Sequence, residues 1–170
     1  MASGWGLRTL SAEMAGYNPI SYHVGSVWPH DTVIACEGLR RYGLDDVAMR
    51  LVSDLLDALT IFNDRLPELF GGHHREPSDF PVPYPTACRP QAWAAGVPLA
   101  IVALCLGLQP DVPAGTVWLN PVLPRGLHRI EVHGIPFPGG QLSLAHDGEA
   151  TKVIEAPLSL RVAAQARPIG

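Results

Sequence analysis

Apolar positions recur along this chain with two different spacings, and the change falls near Pro110. From Asp31 to Gly43 the run Thr32-Val33-Ile34-Ala35-Cys36 opens behind an aspartate and closes on Arg40-Arg41-Tyr42-Gly43, which predicts a helix with cations and glycine at its C-terminal end. Its apolar residues fall nearly all round, the mark of a buried helix. Asp45 and Asp46 open a second helix in which Val47, Leu51, Leu55, Leu59 and Phe62 repeat at four- and three-residue spacing. The short glycine turn between them predicts an antiparallel helical hairpin. A third helix is expected from about Pro90 to Gly107, apolar on most sides and kinked or divided at Pro98.

Two stretches lack this period. The first thirty residues are broken by Gly4, Gly6, Gly16, Pro19, Gly25 and Pro29 and read as loops. From Asn63 to Cys88, Gly71, Gly72 and prolines at 67, 77, 81, 83 and 85 exclude a regular element and predict a long structured loop. Beyond Pro110 short alternating runs appear at Thr116–Leu119, Leu127–Val132, Gln141–Leu144 and Lys152–Ile154, the pattern of a small antiparallel sheet. The expected organisation is a helical part over 1–110, a sheet segment over 111–162 and a tail over 163–170 without periodic signal.

Composition narrows the classes. The chain has 170 residues, about one domain, and 47% hydrophobic content excludes a disordered tail. Only 16% of residues are charged, against roughly 25% in an average soluble domain, so apolar surface is expected to need covering. The net charge of −4, without a basic stripe, argues against nucleic acid as a partner. The longest apolar run, Val97–Leu108, falls short of the roughly 20 residues that span a bilayer, and the N-terminus has no leader pattern; no membrane partner and a cytoplasmic location are expected. Cys36, Cys88 and Cys105 are widely spaced in apolar surroundings and read as reduced core thiols, with neither metal nor cofactor implied.

Candidate chemistry lies in four segments. Residues 16–31 pack Tyr17, Tyr22, His23, Trp28 and His30 with several hydroxyls, a mixture that suits a sugar, whose ring faces stack on indoles while its hydroxyls need polar partners. The plain reading of the same segment is Asp31 as a helix cap, Trp28 as a core residue and the histidines as satisfied loop residues, and for Asp31 the cap is the expectation. Glu68 sits between apolar residues in Leu66-Pro67-Glu68-Leu69-Phe70; desolvation would raise its pKa and suit it to acid–base work, while an ordinary surface glutamate is the plain reading. His73 and His74 are adjacent in a loop, where such pairs rarely converge on a metal, and read as rim residues. Arg89, Gln91 and Trp93 open the third helix; a polar ligand at that helix start, or a core indole and a satisfied backbone, both account for them. No GxSxG, P-loop or GxGxxG motif occurs.

In chain order, GWGLRTL (4–10), YNPISYHVGSVWPHD (17–31), LPELFGG (66–72) and CRPQAWAAG (88–96) resemble the amylo-alpha-1,6-glucosidase, or glycogen debranching, family of glycoside hydrolases. The resemblance covers about residues 4 to 108. It implies a mainly α fold, here the last helical hairpins of a partial (α/α)6 toroid followed by the small sheet. It also implies hydrolysis of α-glucosidic bonds with inversion. Glu68 falls on the general base, and Tyr22, His23, Trp28, Arg89, Gln91 and Trp93 fall on the sugar subsite. The family's general acid, an aspartate from earlier hairpins, has no match in residues 1–15, so the chain is expected to be a C-terminal part without the acid. An oligosaccharide or α-glucan is the expected partner, together with self-association or the missing N-terminal part through exposed apolar helix faces. The alternative is a catalytically inactive carbohydrate-binding remnant.

Overall fold

Asp31 does not cap the first helix. In the computed structural model, which describes residues 1–76 and 80–168, α1 (Pro29–Arg41) starts at the proline and has no side-chain cap. Proline's fixed φ and missing N–H suit a first helical turn, and Asp31 lies exposed within it. Pro77, Ser78 and Asp79 of the expected long loop, and Ile169 and Gly170 of the expected tail, lie outside the described residues.

Two compact units divide the chain at Ile101/Val102. In the first, α1 and α2 (Asp45–Ile61) form the expected hairpin. Its turn is a Schellman motif: the Gly43 N–H donates to Arg40 O at 3.0 Å and the Leu44 N–H to Leu39 O at 3.0 Å. Gly43 makes this possible with φ +72°, a left-handed conformation that costs a glycine little. Arg40 Nε clips the turn to Asp45 Oδ1 at 2.9 Å. The expectation that α1 is buried all round does not hold. Pro29, Thr32, Val33 and Cys36 form one buried stripe, while Ile34 is half exposed and Glu37 and Arg41 face water. From α2 the matching stripe is Ala48, Met49, Leu51, Val52, Leu55 and Ala58. The third helix, α3 (Ala92–Leu106), runs undivided through Pro98. It too is one-sided in the first unit: Ala94, Val97 and Ile101 are buried, whereas Trp93 and Leu99 are exposed.

The mainly α, partial (α/α)6 toroid is overturned. Among the described residues there are three helices, about 27% of the structure, and 21% is strand or bridge, a mixed α/β architecture. Most of that strand lies in two small sheets beyond Leu106, and the segments between the helices add the bridges. Instead of a second hairpin, residues 1–8, 27, 70 and 83 form a row of antiparallel bridges, Arg8↔Val27, Val27↔Phe70 and Phe70↔Pro83, with Ala2↔Leu7 at the N-terminus. Val27 and Phe70 exchange both backbone bonds, at 2.9 and 3.0 Å, and both side chains are fully buried. The Gly71 N–H continues the row to Val82 O at 2.7 Å. This ladder satisfies the backbone of a loop too rich in proline for a long strand.

The second unit holds two three-stranded sheets where a single antiparallel one is expected. β1 (Gln109–Asp111) and β2 (Thr116–Trp118) pair antiparallel, and β2 pairs parallel with β6 (Arg161–Ala163), which closes the expected sheet segment and takes in the first residue of the expected tail. β3 (Ile130–Phe137), β4 (Gly140–His146) and β5 (Thr151–Glu155) form an antiparallel meander. Leu106, Val117, Leu119, Leu142 and Leu144 make its core. On β3 the Glu131 carboxyl is held below the usual range by Arg129 and His133 on either side of it.

One partly buried carboxyl in the first unit bears on stability. Asp54, half-buried on α2, has its pKa pushed up to about 6, chiefly by burial, with Arg75 pulling it back. A raised acid pKa means that the folded chain keeps a proton the unfolded chain has released, so stability falls as pH rises from about 4 to about 6. Asp54→Asn is expected to flatten that slope and to gain about 1 kcal/mol at neutral pH, after allowance for solvent screening. Urea melts of both proteins at about pH 4 and about pH 7.5 check this; equal differences at both pH values would count against it.

Candidate functional site

The bridge ladder sets Glu68 opposite the aromatic segment. Glu68 lies two residues before the Val27–Phe70 bridge, and its N–H donates to Cys88 O at 3.0 Å, which ties the PEL segment to the start of the CRPQAW motif. Its carboxylate then accepts two hydrogen bonds, from Tyr22 Oη to Oε1 at 2.5 Å and from the Cys88 N–H to Oε2 at 3.2 Å. These donors favour the charged form, so Glu68 is held below the ordinary carboxylate range, first by the Tyr22 hydroxyl and then by the Cys88 amide. The sequence-based expectation was the reverse. Leu66, Leu69 and Phe70 are indeed buried, but the Glu68 side chain is directed to donors and partly to solvent, so desolvation is the lesser effect. Tyr22 responds oppositely: donating to a carboxylate pushes its pKa up to about 12, and it stays a protonated donor through the neutral range.

Tyr22 stands at the centre of a ring cluster. His23 and Trp28 meet it edge-on at 4.6 and 4.8 Å between centroids, and Tyr84 does so at 5.9 Å. His23 and Trp28 lie parallel, 5.8 Å apart. Residues 22–28 are folded tightly by the buried Ser26, whose hydroxyl donates to Tyr22 O at 2.7 Å, while Trp28 Nε1 donates to Tyr22 O at 3.0 Å and to Ser26 Oγ at 3.1 Å. Of the expected sugar-binding residues, Tyr22, His23 and Trp28 therefore converge with Glu68.

The other three make their contacts elsewhere. An Arg89 guanidinium N–H donates to Phe62 O, and the group lies over the Phe62 ring, bracing the end of α2. Gln91 Oε1 accepts the Ala94 N–H at 2.8 Å and caps α3, the plain reading of that residue. Trp93 is not a core indole: it is 64% exposed and packs on His30 at 4.7 Å. Cys36 and Cys105 are buried as expected, but Cys88 is exposed beside Glu68. His73 and His74 are exposed.

Sequence reasoning missed Tyr84 and the Cys88 amide. Neither has a local signal, since Tyr84 lies among prolines and any residue but proline supplies an N–H; only the pairing of residues 68–71 with 82–88 reveals them. Among the described residues no group of three or more His, Cys, Asp or Glu side chains could hold a metal ion, and no helix is long and apolar enough to cross a membrane. A shallow cavity of about 190 Å³ in the second unit, lined by residues such as Val112, Phe137 and Leu160, shares no residue with the Glu68 cluster. The chain matches no family model and no curated protein.

Proposed function

We propose that this chain is the base-bearing part of a glycoside hydrolase of the glycogen-debranching type, acting in the cytoplasm on α-glucosidic bonds, with Glu68 as general base. The supporting observation is the Glu68 carboxylate, held ionised by Tyr22 at 2.5 Å within an open cluster of Tyr22, His23, Trp28 and Tyr84. The four ordered motifs agree with this reading, which rests on the site and not on the architecture.

An inverting hydrolysis needs one carboxylate to take a proton from water as the water attacks the anomeric carbon, and an acid on the opposite face to protonate the leaving oxygen. A carboxylate has about four lone-pair positions, of which Tyr22 and Cys88 occupy two at Glu68, so one water can still be oriented there. The lowered pKa keeps Glu68 unprotonated well below neutrality, at the cost of some proton affinity. Trp28 and Tyr22 offer ring faces and edges for a pyranose, and His23 and the Tyr22 hydroxyl offer polar partners. The general acid comes from outside these residues in this reading. Trp93 with His30 supplies a further exposed aromatic surface for the glucan.

Titration calorimetry with maltotriose tests the reading. Binding with a dissociation constant of about 1 mM is expected, weakened about tenfold by Trp28→Ala, the effect of one lost aromatic contact. Absence of heat at about 10 mM sugar would remove the carbohydrate reading. Binding without any turnover, even of an activated substrate, would leave the catalytically inactive remnant.

A further inference from the structure

We propose that Tyr84 is a positioning residue for Glu68: its ring backs Tyr22 and keeps the Tyr22 hydroxyl on the carboxylate. The inference rests on the reading of Glu68 as a base and adds the residue that makes its geometry stable.

Tyr22 is exposed at the surface, and a tyrosine there is free to swing its hydroxyl into water unless its ring is held on more than one side. Among the described residues three rings meet it. His23 and Trp28 belong to its own tightly folded segment and would move with it. Tyr84 comes from a different segment of the chain, with the two rings inclined at 65°. Its backbone follows directly on the Phe70↔Pro83 bridge and the Gly71–Val82 hydrogen bond, so Tyr84 and Glu68 are anchored to the same rungs of one ladder. The Tyr84 carbonyl also accepts the Ala87 N–H at 3.2 Å, which closes a turn leading to Cys88, the second donor to Glu68. A ring placed by the ladder that places the carboxylate sets the distance between Tyr22 and Glu68. The edge contact needs an aromatic ring and not the Tyr84 hydroxyl, and this separates the role from direct hydrogen bonding.

The titratable groups facing Glu68 are Tyr22 and Cys88, with Tyr84 and His23 behind Tyr22. Carbon-13 NMR titration of the Glu68 carboxyl in the full chain, assigned with Glu68→Gln, reads this arrangement without any sugar present. Tyr22→Phe is expected to move the midpoint up toward the ordinary carboxylate value, by about half a pH unit or more. Tyr84→Ala is expected to move it the same way, and Tyr84→Phe to leave it where it is. If Tyr84→Ala disturbs folding, as judged by near-ultraviolet dichroism, Tyr84→Leu keeps the bulk and removes the ring, with the same upward shift expected. An unmoved midpoint in folded Tyr84→Ala or Tyr84→Leu, beside a shifted one in Tyr22→Phe, overturns the proposal, as does a shift in Tyr84→Phe equal to that in the alanine variant. Because no saccharide enters the experiment, failure of maltotriose binding leaves this result intact and counts only against the carbohydrate reading.

Discussion

Glu68→Gln is expected to lower fluoride release from α-glucosyl fluoride by at least about a hundredfold, the usual contribution of a positioned base. Fluoride departs with little help from an acid, so on the proposed reading this substrate isolates the contribution of the base. Glutamine keeps the shape of glutamate, and its amide oxygen can still accept from Tyr22, so the loss would measure proton abstraction and not collapse of the site. The pH dependence follows from the same contacts. Activity is expected to fall as pH drops through the lowered Glu68 pKa, and Tyr22→Phe should move that limb upward because the hydroxyl that chiefly stabilises the carboxylate is gone. Unchanged fluoride release in Glu68→Gln would end the assignment of this residue as base. Retention of configuration in the released glucose would contradict a base acting on water.

Gly72→Ala is expected to cost at least about 3 kcal/mol and to lower the melting temperature by about 10 °C. A methyl group at this position would lie 1.7 Å from Gly25 O and 2.8 Å from Gly25 C, and neither backbone atom can rotate away. The Gly72 carbonyl meanwhile accepts Arg8 Nε at 2.5 Å and Tyr17 Oη at 2.7 Å, and its N–H donates to Pro19 O at 2.9 Å. Separating residues 18–25 from Gly72 would break this junction and carry Tyr22 away from Glu68. Gly38→Ala in α1 is the contrasting control, with open space around the added methyl and an expected gain of about 0.5–1 kcal/mol. Thermal melts of the two variants decide the matter. A Gly72→Ala protein melting within about 2 °C of the parent would show that the close approach of Gly25 and Gly72 does not govern stability.

Much of the helical part was legible because its signals are local. The Gly43 turn, the end of α3 near Gly107 and the apolar stripe of α2 follow from φ preferences and from a period of 3.6, which neighbours in sequence suffice to express. The grouping of Tyr22, His23 and Trp28 was legible for the same reason, since a seven-residue segment can bring them together. How far each helix is buried was not, because an apolar residue such as Ile34 or Leu99 does not state whether anything packs on it.

What the chain's own letters determined is thus its helical hairpin, the broken stretches and the aromatic, histidine and hydroxyl residues gathered in residues 16–31. How the segments between the helices pair was decided only in three dimensions, because bridges such as Val27↔Phe70 join residues far apart in sequence and their pairing has no local period. The same pairing reversed the expected behaviour of Glu68. Apolar sequence neighbours predict a raised pKa, but a carboxylate responds to the donors that reach its oxygens, and Tyr22 and Cys88 arrive from 46 and 20 residues away.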